Sequence, residues 1–157
     1  MVKPIVFACR QVIAKPAEEI CAEIADTARW SEFNGYGILP GIASAAYETR
    51  ADGMVGSRIR VRNRDGSGHV EEIYAWEAGQ QVAMKLYEFT PPLSRLADYF
   101  TEEWAFAADP RGTLVTRRFQ MFARRPLTRL PLWGISQLFR RAVARHLAEM
   151  AAAANGR

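Results

Sequence analysis

The sequence predicts an α+β domain in which a run of antiparallel strands is flanked by helices. Three observations carry that prediction. The last third, 127–154, repeats apolar residues at three- and four-residue steps (Leu132, Ile135, Phe139, Val143, Leu147 and Met150), the spacing of a helix with one apolar stripe. Between 42 and 123 the apolar period falls to two, as strands require. The breaks between those strands are mostly of hairpin length, which suits an antiparallel meander over parallel strands joined by crossover helices. Helices segregated at the ends of such a run define the α+β class.

Taken in order, Ile5, Phe7, Cys9, Gln11 and Ile13 alternate with Val6, Ala8, Arg10 and Val12 and predict a first strand. Lys15-Pro16 ends it, and Pro16 opens a helix with Glu18 and Glu19 in its first turn, the sign favoured there. Asp26-Thr27 splits this region into two short helices, the second ending near Phe33; Asn34-Gly35-Tyr36-Gly37 and Leu39-Pro40-Gly41 then read as loop. Strands follow at 43–50, 57–64, 69–77, 82–89, 98–107 and 113–123, and Asp65-Gly66-Ser67-Gly68 is the strongest hairpin signal. In the last helix Pro131 is tolerable only in the first turn, Thr128 is placed to cap it, and Arg140, Arg141, Arg145 and Glu149 fall opposite the apolar stripe. A strongly curved sheet wrapped around that helix would bury the stripe.

At 157 residues, with 49% hydrophobic and 24% charged residues, the chain fits one globular domain, 1–157. No apolar run approaches the roughly 20 residues of a membrane span. The N-terminal apolar run stops at Cys9-Arg10 and lacks a signal-peptide layout, so the expected location is cytoplasmic. Cys9 and Cys21 have no CxxC or companion His spacing and are expected as packed, reduced thiols; no metal and no cofactor is expected. The net charge of +4 is uneven, because 111–157 holds ten Arg against the single acid Glu149. Without a nucleic-acid motif this segment predicts a solvated helix face, so no nucleic-acid partner is expected and a membrane surface is the lesser alternative. There is no GxSxG turn, phosphate loop, HExxH or Rossmann fingerprint.

The stretch PAEEICAEIADTARW at 16–30, VGSRIRVRNRDG at 55–66, and the Trp104 strand followed by GTLVTR at 112–117 resemble the polyketide cyclase/dehydrase branch of the START/Bet v 1-like (SRPBCC) superfamily. The resemblance covers essentially the whole chain. It implies a helix-grip fold, with a seven-stranded curved antiparallel sheet and the C-terminal helix enclosing an apolar cavity. Such proteins include lipid and hormone carriers and aromatase/cyclases, so the fold does not choose among functions. One departure matters: where similar sequences often read Thr-x-Val-x-Trp in the last strand, this chain carries Arg117 in place of the large apolar group.

Strand parity then predicts which side chains face the cavity. A two- or four-residue loop at 65–68 puts Ile59, Val61, Asn63, Val70, Glu72, Tyr74 and Trp76 on the inner face and sends Arg60, Arg62, His69 and Glu71 outward. Trp104 and Phe106 face in on their strand, and Val115, Arg117, Phe119 and Met121 on the last. The expected ligand-binding set is therefore Asn63, Glu72, Tyr74, Trp76, Met84, Trp104, Phe106, Arg117, Phe119, Leu132, Ile135 and Phe139. Asn63, Glu72 and Arg117 are its polar members, and a Glu72–Arg117 bridge is the simplest way to satisfy them. The resemblance also implies that Trp30, Phe33 and Tyr36 sit near the cavity mouth, as a plug or as a lid, and Leu93, Leu96, Tyr99 and Phe100 are expected to flank the same opening.

The leading expectation is a module that binds a hydrophobic small molecule of lipid, polyketide or aromatic type. The first alternative is a cyclase/dehydratase-like enzyme with Glu72 as its pocket acid. The second is a peripheral membrane protein using Trp133 and the arginines.

Overall fold

The computed structural model describes residues 2–156. Strand β1 (Ile5–Ile13) is followed by helix α1 (Ala17–Ala25) and a 3-10 helix (Thr27–Glu32). Six strands come next: β2 (Ile42–Thr49), β3 (Arg58–Asn63), β4 (Gly68–Glu77), β5 (Gln81–Tyr87), β6 (Ala97–Asp109) and β7 (Gly112–Ala123). A one-turn helix α2 (Leu93–Leu96) precedes β6, and the long helix α3 (Arg129–Asn155) closes the chain. The seven strands form one antiparallel sheet in the order β1-β7-β6-β5-β4-β3-β2. Strand β1 is thus at one edge beside β7 and β2 at the other, and the two short helices carry the chain across the open side. Helix α3 packs mainly on β1 and fills the concavity, which is the helix-grip arrangement.

The stripe on α3 does what its spacing predicts. Leu132, Val143, Leu147 and Ala151 are buried. Phe139 anchors the helix in an aromatic cluster, with ring centroids 4.7 Å from Phe119, 5.7 Å from Phe7 and 6.0 Å from Phe100. Each such pair adds about 0.5–1.5 kcal/mol beyond the area it buries. Asp26 ends α1 as predicted and caps the 3-10 helix by accepting from the Ala28 N–H. Thr128 does not cap α3 with its side chain: its hydroxyl bonds to the Leu96 and Arg125 carbonyls instead, tying the helix start to α2. Both cysteines are buried and free.

Two local irregularities decide which side chains face the helix. The β3–β4 hairpin pairs Val61 with His69 and Arg58 with Glu72, not the register expected from a two- or four-residue loop. Its turn runs from Asn63 to Gly66, with the Gly66 N–H bonded to the Asn63 carbonyl and the Asn63 N–H to the Ser67 carbonyl. Gly66 takes φ +89°, so the loop is a turn plus one left-handed residue, and the odd count flips the side chains at the start of β4. A bulge between Ile73 and Ala75 then restores the original parity, so Trp76 pairs with Val82 and packs against the core.

This register corrects the expected directions of Glu72, Tyr74, His69 and Glu71. Glu72 and Tyr74 face outward, with side chain and residue 40% and 45% exposed. Glu72 accepts from the Tyr87 hydroxyl at 2.8 Å in a surface network that includes Arg58, Glu48 and Glu88. His69 and Glu71, expected outside, lie inside.

Candidate functional site

Two cavities lie between the sheet and α3. The larger, about 280 Å³, is lined by Leu39 and Pro40 of the loop before β2, Phe89 and Leu93 before β6, Phe100 and Phe119 of the sheet, and Ile135, Leu138 and Phe139 of α3. Asn63 and His69 add polar groups at its sheet side. The smaller, about 90 Å³, is lined by Ile24, Trp30, Met84, Trp104, His146 and Met150. Phe33, Ile42, Glu71, Glu102 and Arg117 line both, so the two spaces meet at a group of charged side chains.

That group is centred on Arg117. Strand alternation on β7 turns Arg117 inward between Val115 and Phe119, and β6 brings Glu102 and Trp104 beside it. The Arg117 Nε donates to Glu102 Oε2 at 2.8 Å, and Nη2 bonds to the same oxygen. Its guanidinium carbon lies 4.1 Å from the Trp104 ring centroid. Nη1 reaches His146 Nδ1 at 3.1 Å. Arginine has only donors, so Nδ1 must accept, which leaves His146 neutral with its proton on Nε2. Burial, and next the Arg117 charge, hold the His146 pKa down at about 3. Burial pushes the Glu102 carboxyl above its ordinary range; Arg117 pulls the other way and Glu71 adds to the rise. Beside them His69 Nε2 and Glu71 Oε2 are 2.9 Å apart.

A buried pair of this kind is held by geometry as much as by charge. Removing one partner would leave an uncompensated ion, at a cost of about 3–5 kcal/mol. One donor in the group has no such compensation. The indole N–H of buried Trp104 makes no hydrogen bond of good geometry, although it lies near enough to Glu102 to favour the carboxylate.

Of the expected site residues, Asn63, Met84, Trp104, Arg117, Phe119, Ile135 and Phe139 line one or both cavities. Leu132 does not; it is wholly buried in packing. Trp76 and Phe106 are half-buried against the core and line neither space. Phe33 and Trp30 wall the smaller cavity, with Trp30 Nε1 fixed on the Ile24 carbonyl at 2.9 Å. Arg117 takes Glu102 as its partner, not Glu72. Sequence reasoning missed Glu102 and His146, yet both had a signal. Glu102 alternates with inward Trp104, and His146 follows Phe139 by two helical turns.

The family model described as "Polyketide cyclase / dehydrase and lipid transport" matches residues 5–155. The chain belongs to that family. Comparison with curated proteins finds no match. Among solved structures, this family member is similar to the Zhui aromatase/cyclase from Streptomyces sp. R1128 at a TM-score of 0.71 and 11% identity, covering 94% of this chain and 93% of that one. It is also similar to a START superfamily protein from Mycobacterium smegmatis (TM-score 0.62, 13% identity, 95% and 99% covered). The crystal structure of Ara h 8.0201 matches at a TM-score of 0.64 and 15% identity, with 93% and 99% covered. At these identities the likeness speaks for the fold alone. Within this polyketide cyclase/dehydrase-like chain, no helix among the described residues is long and apolar enough to cross a membrane. Its charged group at the junction is therefore the chemistry to explain.

Proposed function

We propose that this chain binds an uncharged, largely apolar small molecule in the space between the sheet and α3. The observation that carries the reading is the junction itself. The only cation common to both cavities among the described residues, Arg117, is already bonded to Glu102. Two carboxylates, Glu71 and Glu102, flank that one guanidinium, so a ligand carboxylate would meet no spare positive charge from it. The aromatic and aliphatic walls supply the affinity. A volume of about 280 Å³ is close to the low end, ~300 Å³, for small-molecule pockets.

The test uses two fluorescent probes of similar shape. Neutral N-phenylnaphthylamine should be taken up with a rise in emission, and anilinonaphthalene sulfonate should bind about tenfold more weakly or worse, since its charge would be buried without a partner. No uptake of the neutral probe, or preferential uptake of the sulfonate, would overturn the reading.

A second reading has its own observation. Glu102, raised by burial, lines the cavity beside Arg117 and could hold a proton for a ligand carbonyl in dehydration or cyclisation. The family description, which includes polyketide cyclase / dehydrase, supports it. Turnover of an aromatic polyketide-type substrate that is lost in Glu102→Gln, with probe uptake intact, would be its mark.

A further inference from the structure

The exposed apolar side chains are not scattered evenly. Seven large hydrophobic residues stand exposed among the described residues, and four of them lie on the 3-10 turn leading into α3 (Pro126–Thr128), along the first turns of α3, or on the turn packed against it. Leu127, Leu130 and Trp133 are 88%, 76% and 49% exposed, and Ile38 is 90% exposed. The first three follow one another at three-residue steps, so they form one row across the helix start. Ile38 sits at the tip of a tight turn closed by paired hydrogen bonds between Tyr36 and Leu39. That turn rests on α3: a side chain added at Gly37 would touch the Leu138 side chain at 3.7 Å, and Arg141 lies over the Tyr36 ring.

This apolar knuckle has a basic rim. From 124 to 148 the chain carries six arginines and no acid, three of them (Arg124, Arg125 and Arg129) on either side of Leu127. Arg124 and Arg129 are exposed; Arg124 approaches Asp98 at 3.7 Å, and Arg129 holds the Lys3 carbonyl at 3.2 Å. The positive end of the α3 dipole points the same way. The larger cavity opens at this end too, because Ile38, Thr90 and Pro92 in its lining are exposed and Leu138 belongs to α3 two turns beyond Leu130.

We propose that the start of α3 together with the Gly37-Ile38 turn docks this protein on the surface of an anionic lipid bilayer, with the cavity mouth beside the contact. Leucine and tryptophan enter the headgroup boundary, and the arginines meet lipid phosphates. An acidic protein partner would use the arginines but leaves Leu127, Leu130 and Ile38 without an apolar counterpart, which favours the bilayer. No spanning helix is needed, and the docking does not depend on what the cavity holds.

Vesicle flotation tests this with phosphatidylcholine alone and with phosphatidylcholine mixed with phosphatidylglycerol. The protein should float with the mixed vesicles only, and less so as salt rises. Leu130→Glu should weaken the partitioning by about tenfold or more. Each Arg125→Glu or Arg129→Glu change should weaken it by about fivefold or more, from the roughly 1 kcal/mol each cation contributes near such a surface. Thermal melting of Leu130→Glu should match the parent, because Leu130 packs on little. Absence of flotation, flotation indifferent to Leu130→Glu, or a lipid-free dimer that Leu130→Glu dissolves would each overturn the proposal. Probe uptake in the cavity is read separately, so a failure here and a failure of the ligand reading are distinguishable.

Discussion

At the scale of single residues, His146 is the group with a pH signature. Its folded pKa of about 3 lies below the ordinary 6.5, so between those values the unfolded chain binds the extra proton. Stability from keeping His146 neutral is therefore complete above pH 6.5 and is lost as pH falls toward 3. From pH 7 to pH 5 the loss is about 2 kcal/mol. Glu102, raised in the fold, has the opposite sign: below its folded value the native state holds the extra proton, and that stabilisation fades as pH rises through it. Comparing denaturant midpoints of the parent and His146→Gln isolates the histidine. The variant should show a flatter profile between pH 7 and pH 5, and an unchanged slope would remove the neutral, Arg117-bonded imidazole from the account.

At the scale of elements, two glycines make opposite predictions. Gly66 ends the β3–β4 turn at φ +89° with nothing within 4 Å of an added Cβ, so Gly66→Ala meets backbone strain alone. Its expected cost is about 1–2 kcal/mol. Gly134 also has open space around it but sits inside α3 without a positive φ. Gly134→Ala should stabilise by about 0.5–1 kcal/mol by restricting the unfolded chain. Urea denaturation of the two variants measures both signs. The hairpin matters more than its own energy suggests. Its extra left-handed residue turns His69 and Glu71 toward the cavity and Glu72 toward solvent, and the bulge after Ile73 confines that inversion to the start of β4.

At the scale of the whole molecule, α3 lines the larger cavity with Ile135, Leu138 and Phe139 and the smaller with His146 and Met150, packs closely between them at buried Ala142 and Val143, and leaves the two cavities meeting at Arg117. Leu138 stands at the wider end, half-exposed, and a larger side chain there can enter the space without displacing buried packing. Leu138→Trp should therefore abolish N-phenylnaphthylamine uptake while shifting stability by less than about 1 kcal/mol. Uptake that persists would place the probe elsewhere. The same end of the molecule carries the exposed knuckle, so a ligand leaving the cavity there would emerge beside the proposed lipid contact.

The sequence by itself determined the seven strands, the two short helices after β1 and the long α3, though not the one-turn α2, because period-two and period-3.6 patterns, turn residues and the α3 stripe are local signals. It also determined that Arg117 faces inward, since parity within one strand needs no tertiary information. What it could not determine was the company Arg117 keeps. Glu102 and His146 come from positions 15 and 29 residues away, on a neighbouring strand and on the helix. Parity carried across a hairpin depends on the loop count being even or odd, and one left-handed glycine reverses it. Only the folded sheet, with that turn and the bulge in place, decided that Glu102, not Glu72, is the acid at the junction.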